Sequence, residues 1–453
     1  MAILSRSLFA VAAGALAVSA VATSCADHRP LNVVVVTMDT TRADRVTPYG
    51  YLDASMPALE RLEKEGALFQ RAYTVVPLTL PSHTSLFTGL APTSHGVHDN
   101  ADAPLDPKFD TLAEVLKSSG YQTAAFVASA VLDPGRGLAQ GFDTYQDTGA
   151  SPTGRHLTQR RGDAVMNDAL AWLDRTQDRP FFLWTHLYDA HRPYEPPEPF
   201  ATNVSNTYVA EIAFVDAQIG RLLDALDRKR LTQRTIVVVL ADHGEALGER
   251  GERDHGVFLY DNVLQIPLFI RAPGVAPSRV MSVARIIDVA PTILQLLGQP
   301  ERRSDGRSLL SLMRGADEHR EAYAESLYPR RLGWSSLVAL RDDRYKFIEA
   351  PTPEVYDLDR DPFEQHNIAG EKPAIVDAMR RRLASITATA VAPSASALSP
   401  EARQRLASLG YVAGAPTTTG AADAALPDPK KCMAAIAAVN AEEAAVPAPV
   451  RCR

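Results

Sequence analysis

The sequence predicts an α/β fold, a mixed and mostly parallel sheet sandwiched by helices, followed by a small C-terminal subdomain built on an antiparallel sheet. Three observations carry this. Between Leu31 and Gly298, apolar runs rich in β-branched residues alternate with amphipathic helical patterns, the signature of a doubly covered parallel sheet. Three of those runs end in acids or imidazoles, as strands that feed a site at one sheet edge do. From about Glu321 to Gly370 the pattern changes to short strands with no helix between them, which reads as antiparallel.

In chain order, LNVVVVTMD (Leu31 to Asp39) is a fully buried strand with Asp39 at its carboxyl end. MPALERLEKEG is an amphipathic helix stopped by Gly66; DTLAEVLKSSG is a second, capped by Asp110 and stopped by Gly120. YQTAAFVASAVL follows as a strand. The helix GDAVMNDALAWLDRT leads into the strand PFFLWTHL, beyond which stand Asp189 and His191. TYVAEIAFVDAQIGRLLDALDRK is the longest helical pattern and leads into TIVVVLAD, which ends in Asp242, His243, Gly244 and Glu245. PLFIRAPG and the helix DVAPTILQLLG close the main domain. AYAESLY, WSSLVALRDDRYKFIEA and EVYDLDRDPFEQHNIAG supply the short strands. The expected boundaries are a targeting segment over 1–25, a catalytic domain over 31–319, the small subdomain over 320–385 and an Ala/Pro/Thr-rich, largely flexible tail over 386–453, docked at one point through RQRLASLGYV.

Composition narrows the function classes. Lys plus Arg number 47 against 54 Asp plus Glu, a net charge of −7, so nothing points to a nucleic-acid surface. No run of eighteen apolar residues follows residue 25, so no further membrane span is expected. The amino terminus reads as an export signal: Ala22-Thr23-Ser24-Cys25 resembles a bacterial lipobox, and cleavage after Ala26 is the competing reading. Either way the mature chain is expected in the periplasm or cell envelope, with Cys25 as a possible lipid anchor. Of the three cysteines, Cys432 and Cys452 would then be the pair left for a disulfide.

The segment Thr79-Leu80-Pro81-Ser82-His83 resembles the sulfatase motif, in which Cys or Ser, any residue, Pro, Ser and Arg are followed by a short helix and Thr-Gly. Here Thr79 stands at the position that sulfatases oxidise to formylglycine, and His83 at that of the arginine. Asp39, the pair Asp242-His243, the stretch LGERGERDHG and the stretch YDLDRDPFEQHNIA match further sulfatase positions, so the resemblance covers roughly Asn32 to Leu383. RLASLGYV followed by DPK resembles the end of sulfatase-like bacterial proteins that continue into tetratricopeptide repeats, but no 34-residue repeat follows.

The resemblance implies a place in the alkaline phosphatase superfamily, and with it a metal-dependent ester hydrolase or transferase. The resemblance to its phosphoryl-transferring members implies an unmodified Thr79 as nucleophile, with Asp39, Thr79, Asp242 and His243 as metal ligands, similar to the zinc site of phosphoethanolamine transferases. Thr40 replaces the second acid that sulfatases have, and the carboxylate, imidazole and alkoxide set favours Zn²⁺ or Mn²⁺ over Ca²⁺, which takes six to eight oxygens. His191 and His255 match histidines of the same transferases, as does His186. They are expected either to protonate the leaving oxygen and bind non-bridging oxygens or, with Asp189, to hold a second cation; one or two ions are expected in all. Asn100 matches an oxyanion-binding asparagine and is assigned, with His83, to substrate binding. The expected substrate is a small-molecule, lipid or glycan ester of phosphate or phosphonate. The alternatives are sulfate-ester hydrolysis without formylglycine, and a catalytically silent protein that holds anionic glycans.

Overall fold

The computed structural model describes residues 30–149, 159–176, 179–388, 390–391, 400–408 and 426–432. The targeting segment, Cys25 and Cys452 lie outside them; Cys432 is disulfide-bonded.

An eight-stranded sheet forms the centre. Its strands, in chain order, are β1 (Asn32–Met38), β2 (Ala67–Phe69), β3 (Gln122–Phe126), β4 (Thr144–Gln146), β5 (Phe181–Leu187), β6 (Thr235–Ala241), β7 (Leu268–Arg271) and β8 (Ser278–Val280), and their spatial order is β8-β2-β7-β6-β1-β5-β3-β4. All pairings are parallel except those of β7 with β2 and β6. β1 lies between β5 and β6, with Thr37 opposite His186 on one side and Met38 opposite Ala241 on the other. Asp39 and Asp242 therefore leave neighbouring strands at the same edge.

The run NVVVVTM is buried throughout because both faces of the sheet are covered. Val33 and Val35 belong to one apolar cluster, Val34 and Val36 to the other, as the two-residue strand period requires. On the second face pack α1 (Pro57–Glu65), α4 (Gly162–Arg175) and α5 (Thr207–Arg228). On the first pack α2 (Thr79–Thr88), α3 (Leu112–Ser118) and α6 (Val289–Leu296). All ten residues of α2 are buried, and Gly89 ends it in a left-handed turn at φ 69°, a conformation that glycine adopts without strain.

The helix starting near Asp110 is capped by Thr111 instead. The Thr111 hydroxyl accepts from Glu114 N while the Glu114 carboxylate accepts from Thr111 N, a reciprocal cap that the spacing Thr-x-x-Glu encodes. The strand expected over YQTAAFVASAVL stops at Phe126, and Ala130–Leu132 turns as a 3-10 helix after Ser129.

The C-terminal subdomain is the expected antiparallel meander, β9 (Ala322–Ser326), β10 (Leu337–Arg341), β11 (Tyr345–Glu349) and β12 (Glu354–Asp357). It is covered by α7 (Pro373–Thr387), whose Val376, Met379 and Leu383 pack on Tyr323, Leu340, Phe347 and Val355. The tail docks at more than the one expected place. Leu406 is buried in the main core and Arg405 faces Asp133, while Pro427 O accepts from Ser335 N and Lys430 pairs with Glu354 at 2.8 Å. Among the described residues no helix is long and apolar enough to cross a membrane.

Candidate active site

Thr79 opens α2 at the carboxyl edge of the sheet, so the positive end of a buried helix dipole bears on its hydroxyl. Its Oγ1 lies 3.4 Å from His243 Nε2. The His243 ring donates from Nδ1 to Gly244 O at 2.9 Å, which leaves the Nε2 lone pair facing 3.9 Å from Asp39 Oδ1 and 3.5 Å from Asp242 Oδ2. Neither carboxylate oxygen has a hydrogen-bond partner, though both side chains are fully buried. Asp39, Asp242 and His243 form one of the groups compact enough to hold an ion. Gly244 is required here: a Cβ would lie 2.1 Å from Asn262 O, so no larger residue lets the loop turn after His243.

The charges of the site fit a divalent ion. Burial opposes ionisation of Asp39, but the hydrogen bond from His186 and the surrounding imidazoles bring its pKa far below the usual range. Burial and the Asp39 charge push Asp242 well up. Burial and His255 hold His243 far below its ordinary value, as the neutral imidazole a metal needs. Two orphaned carboxylate oxygens beside a neutral ring nitrogen and a hydroxyl form a donor set that a cation would satisfy. Thr40 supplies no further oxygen. Its hydroxyl donates to Ala190 O at 2.7 Å, and its φ of 50° aims its N–H at Asp242 Oδ1.

Two residues expected at the surface of the site lie beneath it. His83 donates from Nδ1 to Thr79 O at 2.8 Å and takes Thr37 Oγ1 on Nε2 at 3.0 Å. Both nitrogens are used, and burial together with His186 lowers its pKa to about 3. His83 thus braces the turn that carries Thr79; it has no donor left for substrate. His186 likewise spends Nε2 on Asp39 Oδ2 at 3.1 Å and Nδ1 on Ala128 N at 3.3 Å, orienting a ligand carboxylate as metal sites commonly require. Although His83, His186 and Asp242 are close enough to form a ligand group, the imidazoles of this trio are already spent.

Of the expected second-cation set, the structure brings His191 and His255 together, with Asp254 as the acid of a group compact enough to hold an ion, while Asp189 lies apart. Asp189 accepts from Gly162 N at 3.1 Å, capping α4, and lies 3.6 Å from Arg161; burial pushes it up to about 6. His191 and His255 do stand together, ring centroids 5.2 Å apart, and His255 lies 4.3 Å from His243. His191 donates from Nδ1 to Arg192 O at 2.8 Å, and its Nε2 is buried without a partner. His255 Nδ1 meets Asp254 Oδ1 at 2.8 Å and Glu245 Oε1 at 3.0 Å. Glu245, pushed by burial and Asp254 up to about 7, also accepts from Tyr194. Sequence reading missed Asp254, Glu245 and Tyr194 as site residues. Asp254 and Glu245 sit in an acid-rich loop where charge alone singles out no member, though Glu245 closes the Asp-His-Gly-Glu run at the strand end.

Asn100 lies beside the turn that carries Thr79. Its Oδ1 accepts from Leu80 N at 2.8 Å, one residue past Thr79, and its buried Nδ2 has no partner. Ser82 donates to Asp242 O at 2.7 Å, tying α2 to the acid's backbone. A cavity of about 870 Å³ lined by Phe87, Leu90, Phe109, Arg302 and Arg307 lies at the other end of α2, about 15 Å along the helix at 1.5 Å per residue, and includes none of these groups.

Comparison with known proteins bears on the family and the fold. A family model described as Sulfatase matches residues 31–299, and one described as N-sulphoglucosamine sulphohydrolase, C-terminal, matches residues 248–389. The chain is 25% identical over 433 residues to a choline-sulfatase of Rhizobium meliloti, covering 76% of this chain and 84% of that protein. It is 26% identical over 397 residues to an ulvan-active sulfatase of Formosa agariphila, covering 75% and 77%. The fold is that of a phosphonate monoester hydrolase of Agrobacterium radiobacter, with a TM-score of 0.66 at 22% identity over 80% of this chain and 96% of that one. With more than half of its length matched by that first model and the Asp39, Asp242 and His243 cluster at the same sheet edge as Thr79, the chain belongs to the sulfatase family of alkaline phosphatase superfamily hydrolases.

Proposed function

We propose that this protein is an exported, metal-dependent hydrolase or transferase of phosphate or phosphonate esters that uses Thr79 as its nucleophile. The observation that carries the reading is the Thr79 hydroxyl 3.4 Å from His243 Nε2, beside two orphaned carboxylate oxygens, in the place where sulfatases keep the residue they oxidise. Asp39, Thr79, Asp242 and His243 would hold the ion, which supplies positive charge that lowers the pKa of the neighbouring hydroxyl and polarises the ester. Three of these donors are two carboxylates and an imidazole, so Zn²⁺ or Mn²⁺ suits them better than Ca²⁺.

Thr79 attacks phosphorus as the alkoxide, its proton having passed to solvent. The Thr79 O–P bond forms as the bond to the leaving oxygen breaks. Asn100 Nδ2 donates to a non-bridging oxygen. His255, oriented through Nδ1 by Glu245 and Asp254, gives the Nε2 proton to the leaving oxygen. An acceptor, water or a hydroxyl, then displaces Thr79 from phosphorus while His255 takes its proton. The two carboxylates on Nδ1, which favour a protonated ring, support this acid role for His255, with a second cation on His191, Asp254 and His255 as the competing use of the same group.

A second reading, sulfate-ester hydrolysis, is favoured by the names of the curated relatives, choline-sulfatase and ulvan-active sulfatase. Initial rates on aryl phosphate, phosphodiester, phosphonate and sulfate esters, with Zn²⁺, Mn²⁺ or Ca²⁺ added to metal-free protein, decide between them. Faster turnover of sulfate than of every phosphorus ester would overturn the first reading, and no turnover of any would leave the silent glycan-binding protein.

A further inference from the structure

Asn100 lies on a five-residue stretch, His98 to Asp102, that is buried throughout. Its side chain faces the nucleophile's turn, and its backbone is held by groups from elsewhere. Arg136 Nη2 donates to Asn100 O at 2.7 Å and to Asp102 O at 2.8 Å. Asp99 accepts from Ala101 N, and Asp102 from His98 N, both at 2.8 Å, closing the turn on itself.

The acids that flank Asn100 are tied to the other structural unit. Arg331 stands on the 3-10 turn Tyr328–Leu332, between β9 and β10 of the small sheet. Its Nε meets Asp99 Oδ2 at 3.0 Å and its Nη2 meets Asp102 Oδ1 at 3.2 Å. All three side chains are almost inaccessible to solvent. Glu325 of β9 pairs with His98 Nδ1 and accepts from Tyr323, while His98 Nε2 donates to Val391 O at 3.1 Å. A planar guanidinium with one carboxylate on either side of residue 100 defines that residue's position far more tightly than a lysine could.

We propose that Arg331 is a positioning residue: by bridging Asp99 and Asp102 it fixes Asn100 so that Nδ2 meets an equatorial oxygen of the substrate anion, which makes the C-terminal subdomain part of the catalytic site. The proposal rests on the reading that Asn100 binds the anion. A donor misplaced by a fraction of an ångström loses much of its transition-state contact.

The test is a double-mutant cycle with an aryl phosphate substrate on the full chain, following kcat, KM, bound metal and thermal midpoint. Asn100→Ala should lower kcat/KM by about 10²-fold, the usual cost of one oxyanion donor. Arg331→Met should lower it by about tenfold or more, mostly in kcat, with metal content unchanged. The double variant should be no slower than Asn100→Ala, because Arg331 acts only through that side chain. Losses that multiply in the double variant would overturn the proposal, as would wild-type kcat in Arg331→Met. An Asn100→Ala protein with full activity would remove the anion-binding reading and this proposal with it, a result distinct from an Arg331 failure alone. Should Arg331→Met not fold, Arg331→Lys keeps the charge without the fork and should still lose kcat at an unchanged thermal midpoint; full kcat there counts against the proposal.

Discussion

Replacing Thr79 by alanine separates the proposed nucleophile from the fold more cleanly than any other substitution in the site. The side chain is 1% exposed and its hydroxyl makes a single long contact, 3.4 Å to His243. Truncation removes one buried methyl, worth about 0.8 kcal/mol, and the long hydrogen bond adds little. Against this, alanine is the better helix former by up to about 0.7 kcal/mol, and the position opens α2. The two effects nearly cancel, so the thermal midpoint of metal-free protein should move by no more than about 2 °C. Turnover should fall by about 10⁴-fold or more, the scale of losing a nucleophile in other covalent enzymes. The assay is steady-state hydrolysis of the best ester from the substrate panel, with acid-quenched wild-type protein examined by mass spectrometry for phosphate on the peptide that contains Thr79. A Thr79→Ala protein that retains near-wild-type kcat and an unmodified peptide would show that water attacks directly, and the covalent route would be wrong.

Further outcomes follow from the same geometry. Asp39→Asn and Asp242→Asn should each bring bound Zn²⁺ or Mn²⁺ from about one per chain to near zero by elemental analysis, and chelator should abolish turnover of the parent; stoichiometric Ca²⁺ alone in the parent would refute the assignment. His255→Ala should slow alkyl esters far more than aryl esters, since only a poor leaving group needs the proton; equal losses accompanied by about one metal ion fewer per chain would show a second cation site instead. Although burial opposes it, the carboxylate of Glu325 carries His98 up to about 9 from 6.5. The folded state therefore binds this proton more tightly than the unfolded chain, and the stabilisation is fully present below about pH 6.5 and is lost as pH rises through about 9. The thermal midpoint should fall across that window in the parent and vary less in Glu325→Gln; a parent curve flat from pH 6 to 10 would refute the pairing.

The strand ends were legible because burial on both faces leaves a continuous apolar run, and β1, β5 and β6 each break abruptly into polar residues. Chain position alone did not tell which way those residues face. His186 follows Phe182 and Trp184 at the two-residue period and so shares the α2 face, where it meets Asp39 and stacks edge-on near His83. Asp189 lies past the strand, where no period applies, and the buried Gly162 N–H at the start of α4, which has no partner within the helix, claimed it. The same competition for helix-end donors misplaced the α3 cap, since Asp110 and Thr111 are both good capping residues and only the Glu114 partner decides. Arg331 had no local signal at all: its partners are more than two hundred residues away, and a lone arginine in a turn reads as solvent-exposed.

The position of β1 at the middle of the sheet bears on when the site comes into being. The strand is formed by the first described residues, yet its neighbours arrive late, and Thr40 meets Asp242 across a separation of 202 residues. Closing so long a loop is slow, and pairings of this range dominate the folding barrier of high-contact-order chains. Asp39 and Asp242 face each other only after β1 and β6 have paired, so no cation can bridge them in the early collapsed chain. An ion held between them would therefore not nucleate folding. It would act on the finished molecule as a latch, slowing the unfolding limb of a chevron while leaving the refolding limb where it was.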